Sequence, residues 1–209
     1  MLRPCASHTM VFNSEKGHRR SIRLKQYDYS RQGHYFVTIC THHRENLLGA
    51  VVEGQVRLSQ VGLIAHECWR AITRHFPNTI LDTYVVMPNH LHGIVIITRP
   101  AGRGAACCAP TTGQTGKMVP GSLPTIVRSF KSASAKRANE LSGAPATPLW
   151  QRNYYEHVIR YEKALNKIRE YICANPHMWP YDPENPARAE PADEDIEDIL
   201  ARVTGFPED

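Results

Sequence analysis

The sequence predicts an α+β sandwich in which helices pack on a mainly antiparallel sheet. Two patterns support this. Segments with alternating or continuous apolar character are interspersed with segments whose apolar residues recur at three- and four-residue steps. Their order is strands, helix, two strands, helix, strand, helix, which is not a regular β-α-β alternation. The composition adds a third, with 209 residues, 42% of them hydrophobic and 22% charged, as expected of a globular domain with one core.

Residues 1–18 carry Arg3, His8, Glu15 and Lys16 but no apolar run. They read as a flexible N-terminus without a signal peptide, which makes the cytoplasm the expected location. A basic arm, 19–31, leads into a strand over His34–Thr41, rich in β-branched and aromatic residues. Over Val51–Ser59, Gly54 between Val51-Val52 and Val56–Leu58 suggests a short hairpin or an irregular strand pair. Val61, Ile64, Ala65, Cys68, Trp69, Ile72 and Phe76 define one helix over Gln60–Phe76, capped by Ser59 and stopped by Pro77. Thr79–Met87 and His90–Thr98 read as two central strands joined at Pro88-Asn89.

Residues 99–123 are rich in Gly and Pro and read as a flexible insertion. A helix is expected from about Pro124 to Glu140, then a strand over Tyr154–Arg160. The last helix, Glu162–Ala174, has Ala164, Leu165, Ile168, Ile172 and Cys173 on its apolar side and ends at Pro176.

Charge is divided unevenly. Residues 1–180 hold 23 Lys and Arg against 10 Asp and Glu, whereas 181–209 hold 2 against 10. A basic body favours a polyanionic partner such as nucleic acid, and residues 187–209 form an acidic tail. No run approaches the roughly 18–20 apolar residues that span a bilayer, so no membrane partner is expected. None of the six cysteines forms a C-x-x-C pair, which excludes a zinc ribbon and leaves ordinary thiols.

Two small constellations carry chemistry. His90 and His92 flank Leu91 at the start of a strand, where positions i and i+2 face the same way. Two neutral imidazoles there can occupy adjacent positions on one metal ion. Gly93 next to them would leave room for a substrate backbone. In the last helix Tyr171 and Asn175 share a face, with Ile172 and Cys173 turned toward the sheet. A metal-polarised phosphate would make the Tyr171 phenol a competent nucleophile, and Asn175 could offer a third ligand oxygen. Taken singly, an H-x-H on a strand also arises by chance, and a tyrosine near an Asn-Pro helix end also serves as a packing residue. Tyr154 and Tyr155 are alternative phenols, sent to opposite faces by strand alternation.

The segments VVMPNHLHGIVI, FKS, LWQRNYYEHVIR and IREYICANP, in this order, resemble the REP-associated tyrosine transposases of the HUH (His-hydrophobe-His) group of single-strand transposases and nucleases. The resemblance runs from about Arg19 to Pro186 and includes the arm RRSIRLKQYDYS and the strand YFVTICT. It implies a catalytic domain over 19–186 with a ferredoxin-like fold and the histidines on a central strand. It also implies a divalent metal, Mg2+ or Mn2+, on His90 and His92, with Asn175 as the polar ligand and Tyr171 as nucleophile. The implied reaction is nicking and strand transfer of single-stranded or hairpin DNA through a 5′-phosphotyrosine.

Arg19, Arg20, Arg23, Lys25, Arg128, Lys131, Arg152 and Arg160 are candidate DNA contacts, and Tyr154 and Trp150 could stack on unpaired bases. A nucleoid-associated location follows, and a homodimer is compatible because some HUH transposases share sites between subunits. The principal alternative is a domesticated relative that holds DNA hairpins without cutting them. A replication or mobilisation initiator is disfavoured because no helicase module is visible.

Overall fold

A computed structural model describes residues 27–98, 119–143 and 147–188. The expected N-terminus 1–18, the arm residues Arg19, Arg20, Arg23 and Lys25, most of the 99–123 insertion and most of the acidic tail lie outside these described residues.

Strand β1 (Gly33–Cys40) is followed by a hairpin of β2 (Gly49–Val52) and β3 (Gln55–Leu58), then helices α1 (Gln60–Arg70) and α2 (Ile72–His75). Next come β4 (Thr79–Val86), β5 (His90–Ile97), α3 (Leu123–Ser142), β6 (Tyr155–Ile159) and α4 (Glu162–Met178). The main sheet has the order β4-β5-β1-β6 and its three pairings are all antiparallel. Together with α1 and α3 this is the β-α-β-β-α-β order of a ferredoxin-like sandwich, and β5, which carries the histidines, lies inside the sheet.

Strand alternation sets the two layers. Tyr35, Val37 and Ile39 of β1 and Leu91 and Val95 of β5 face α1 and α3, forming the larger core with Trp69, Ile126 and Phe130. Phe36 and Ile94 face the other way, against Leu165 and Ile172 of α4. The histidines therefore lie on the α4 side.

Several expectations need correction. The helix expected over Gln60–Phe76 is broken at Ala71, whose amide turns back to Glu67 and Trp69 carbonyls. The break lets Ile72 enter the core at 3% exposure. β4 is an edge strand, not a central one. Its register shifts between Leu81 and Tyr84, a bulge of the kind that blunts sheet edges. Arg169 of α4 reaches into that bulge and pairs with Asp82 at 2.6 Å.

Helix α4 does not end at Pro176 but continues to Met178. Proline removes one amide donor from the last turn, and the buried Ala174 and Met178, packed with Tyr181, hold that turn in place. Cys173 is exposed rather than turned toward the sheet. Among the described residues, no helix is long and apolar enough to cross a membrane.

Candidate active site

The site is assembled by β5, α4 and the turn that follows α4. His90 and His92 face the same way, with ring centroids 4.4 Å apart. They are 0% and 3% exposed. Each ring is oriented by a different neighbour. Asn89 donates its amide hydrogens to the carbonyls of Arg44 at 3.1 Å and Glu184 at 2.5 Å. Its oxygen is thereby aimed at His90 Nδ1, 2.8 Å away. That oxygen can only accept, so His90 carries its hydrogen on Nδ1 and leaves the Nε2 lone pair facing the site. His92 Nδ1 lies 2.9 Å from Thr38 Oγ1, and its Nε2 lies 3.3 Å from the Tyr171 hydroxyl. Phe36 stacks on the His92 ring at 5.4 Å.

The continuation of α4 determines what else reaches the histidines. Beyond Met178 a 3-10 turn, Trp179–Tyr181, folds the chain back so that Asp182 enters the pocket at 4% exposure. Asp182 Oδ2 is 3.8 Å from His90 Nε2, and ligand atoms of His90, His92 and Asp182 all lie within 4.8 Å of one another. Asn175, one turn along α4 from Tyr171, is 1% exposed, and its side chain acts electrostatically on His90, Tyr171 and Asp182 alike.

Three buried atoms at this point have no hydrogen-bond partner: His90 Nε2, Asn175 Oδ1 and Asp182 Oδ2. Each presents a lone pair, and burying three acceptors together without a donor is costly. A divalent cation satisfies all three at once, and a mixed nitrogen and oxygen donor set suits such an ion. The residues present thus fit a metal.

Electrostatics agree with that fit. Burial, reinforced by the Arg44 cation, pushes the His90 pKa down to about 3. Burial and the proximity of His90 hold His92 well below the usual histidine range. Both rings are neutral, as metal ligation requires. Burial raises the Asp182 carboxyl to about 6, against the opposing hydrogen bond from the Glu184 amide. The Tyr171 phenol is pushed up to about 12 by burial and then by the Asp182 charge, with Asn175 pulling the other way. Tyr171 remains 37% exposed, open to a substrate from solvent.

The sequence-predicted His90, His92, Tyr171 and Asn175 are brought together here. Sequence reasoning missed Asp182, Asn89 and Thr38. A helix stopped at Pro176 cannot return Asp182 to β5, and Asp182-Pro183 looks only like a turn. Asn89 is next to the histidines in sequence, so its position was the one available signal. Gly93 does not serve a substrate. It faces the opposite layer from His92, and a Cβ there would lie 2.5 Å from the Trp69 ring.

The predicted DNA contacts divide. Arg128, Lys131, Arg152 and Tyr154 line one cleft on the α3 side of the sheet. Arg160 is exposed at the end of β6. Trp150 is 7% exposed and donates its indole N–H to Ser134 at 2.8 Å, so it belongs to the core and cannot stack on a base.

No family model matches the chain. An uncharacterized protein of Haemophilus influenzae strain Rd is 41% identical over 179 residues, covering 83% of this chain and 97% of that protein. A solved REP-associated tyrosine transposase, bound to a REP hairpin, is similar with a TM-score of 0.50 at 20% identity. That similarity covers 74% of this chain and 73% of the other, and at this identity it is a likeness of fold.

Proposed function

The chain belongs to one family with the Haemophilus influenzae protein and has the fold of the REP-associated tyrosine transposases; on that premise we propose that it is a metal-dependent transposase-type enzyme that nicks and rejoins single-stranded DNA. In this reading Tyr171 is the nucleophile, His90, His92 and Asn175 hold a divalent metal, and Asp182 contributes a further ligand oxygen. The substrate is DNA that folds into a hairpin with an unpaired flank. The observation that carries the reading is the Tyr171 hydroxyl 3.3 Å from His92 Nε2, beside three buried lone pairs that lack donors.

Bound Mg2+ or Mn2+ would neutralise charge on the phosphoryl oxygens. The chain's own residues do the remaining work. Asn89 and Thr38 orient the two imidazoles. Phe36, 6.2 Å from Tyr171, packs edge-on against the nucleophile's ring. In the reaction a bond forms between the Tyr171 oxygen and phosphorus while the P–O3′ bond breaks. The phenol loses its proton and the departing 3′ oxygen gains one. The product is a 5′-phosphotyrosine and a free 3′-OH, and attack by another 3′-OH reverses the step without a nucleotide cofactor.

The test is to incubate the protein with Mn2+ and hairpin DNA drawn from beside its own gene, then examine the ends. The reading predicts a metal-dependent nick whose 3′ end a polymerase extends and whose 5′ end is blocked. A nick with a free 5′-phosphate would contradict it.

A further inference from the structure

On the face of the sheet opposite the histidines lies a cleft of about 770 Å3, bordered by Tyr27 and Tyr29, the N-terminal half of α3, and Arg152 and Tyr154 before β6. That volume falls within the roughly 300–1,000 Å3 range of ligand clefts. Its walls are held rigidly. The Tyr29 carbonyl accepts the Leu123 amide at 3.0 Å, which joins the end of the arm to the start of α3. Asp28 accepts from the Ser30 amide and hydroxyl, fixing the turn between the two tyrosines. Lys131 donates to the carbonyls of Gln151 at 2.8 Å and Asn153 at 2.7 Å, clamping the loop that carries Arg152 to α3. The same ammonium lies 5.6 Å from the Tyr154 ring centre.

The lining has two chemistries side by side. Tyr27 and Tyr154, both partly exposed, supply aromatic surface, while Arg128, Lys131 and Arg152 outnumber the one acidic residue, Asp28. Aromatic rings take the face of a base, and guanidinium groups take a phosphate. A partner offering only negative charge would leave the tyrosines unused, and a purely apolar one would bury the cations. The cleft also adjoins β6, an edge strand of the sheet. Tyr154 lines the cleft, while the next residue, Tyr155, is 45% exposed and meets Phe36 edge-on at 6.3 Å on the histidine side.

We propose that this cleft captures one unpaired nucleotide of the DNA strand, with its base on the tyrosine wall and its phosphate on Arg128 and Arg152. The inference rests on the reading of the protein as a single-strand DNA enzyme and adds where the strand is held. The strand then reaches Tyr171 by rounding the β6 edge, so base selection and bond breakage occur on opposite faces of one sheet.

The test uses the full chain and fluorescein-labelled single strands, a dT dodecamer and an abasic dodecamer of equal charge. Anisotropy titrations should show at least a tenfold preference for the dT strand. Tyr154→Ala should remove that preference, and Tyr154→Phe, which keeps the ring, should retain it. Arg152→Ala, at an exposed position, should weaken both strands several-fold, while Arg57→Ala on the exposed hairpin strand β3 changes neither. Equal binding of the two strands by the unaltered protein, or an undiminished preference in Tyr154→Ala, overturns the proposal. Tighter binding of dTMP or ATP than of the dT strand also overturns it, because the cleft would then be a site for free nucleotides. Failure of the unaltered protein to nick hairpin DNA, with base preference intact, would count against the nuclease reading alone.

Discussion

With its hydrogen on Nδ1, the tautomer that metal ligation at Nε2 requires, His92 offers one Nε2 lone pair, and the Tyr171 hydroxyl lies 3.3 Å from that nitrogen. The lone pair cannot serve a phenol and a metal ion together. Mn2+ or Mg2+ binding should therefore free the phenol, and a tyrosine absorbance change should track metal concentration in the unaltered protein but not in Tyr171→Phe. Thr38 supplies the oxygen that fixes the His92 ring from its far side. Thr38→Val keeps the shape and removes that oxygen, and it should weaken Mn2+ binding by roughly 10–100-fold in calorimetry. Unchanged affinity would show that the ring needs no such partner. Gly93 has a different role. Its missing Cβ makes space for the Trp69 indole, so Gly93→Ala should cost roughly 1–3 kcal/mol in denaturant unfolding. The histidine pair, Tyr171 and Asn175 were legible because strand and helix periodicity place them on shared faces. The role of Gly93 was not, because the indole it meets comes from α1, distant in sequence.

Helix α4 is positioned by more than its apolar face. The Arg169 guanidinium binds Asp82 in the β4 bulge through three contacts between 2.6 and 3.2 Å. Hydrogen bonds from Arg169 hold the Asp82 carboxyl below its usual range, with burial acting in opposition. A depressed carboxyl contributes stability above the unfolded-state value near 4 and loses it as pH falls through the lower folded value. Asp82→Asn should thus lower the melting temperature at pH 7 and have little effect at a pH low enough to protonate the carboxyl in the folded state as well. Because Arg169 is 40% exposed, solvent screening keeps the loss under about 1 kcal/mol. An equal loss at both pH values would assign the effect to the bulge rather than the charge. The element order was legible in hydrophobic period alone. The break at Ala71, the edge position of β4 and the passage of α4 through Pro176 were not, because tertiary packing decides each of them. The last of these matters most, since it returns Asp182 to the histidines.

At the scale of the molecule, one four-stranded sheet separates two surfaces. The α4 face holds the neutral histidines, the phenol and three unpartnered acceptors; the α3 face holds the aromatic and basic cleft. Side-chain alternation along β1, β5 and β6 creates this division, so neither face can be altered by a register slip without exchanging the two. Basic charge and four separated motifs were enough to expect a DNA-processing enzyme of this fold. That Arg128, Lys131, Arg152 and Tyr154 form one cleft was not legible, because α3 and the segment before β6 meet only in the folded chain. The central claim is that Tyr171 becomes covalently joined to DNA. The most direct measurement is a denaturing protein gel after incubation with Mn2+ and a hairpin strand from beside the gene, labelled 3′ of the cleavage site. The account predicts a labelled band at the mass of the protein plus the DNA fragment, lost in Tyr171→Phe and in His90→Ala. A labelled band that persists in Tyr171→Phe would contradict it.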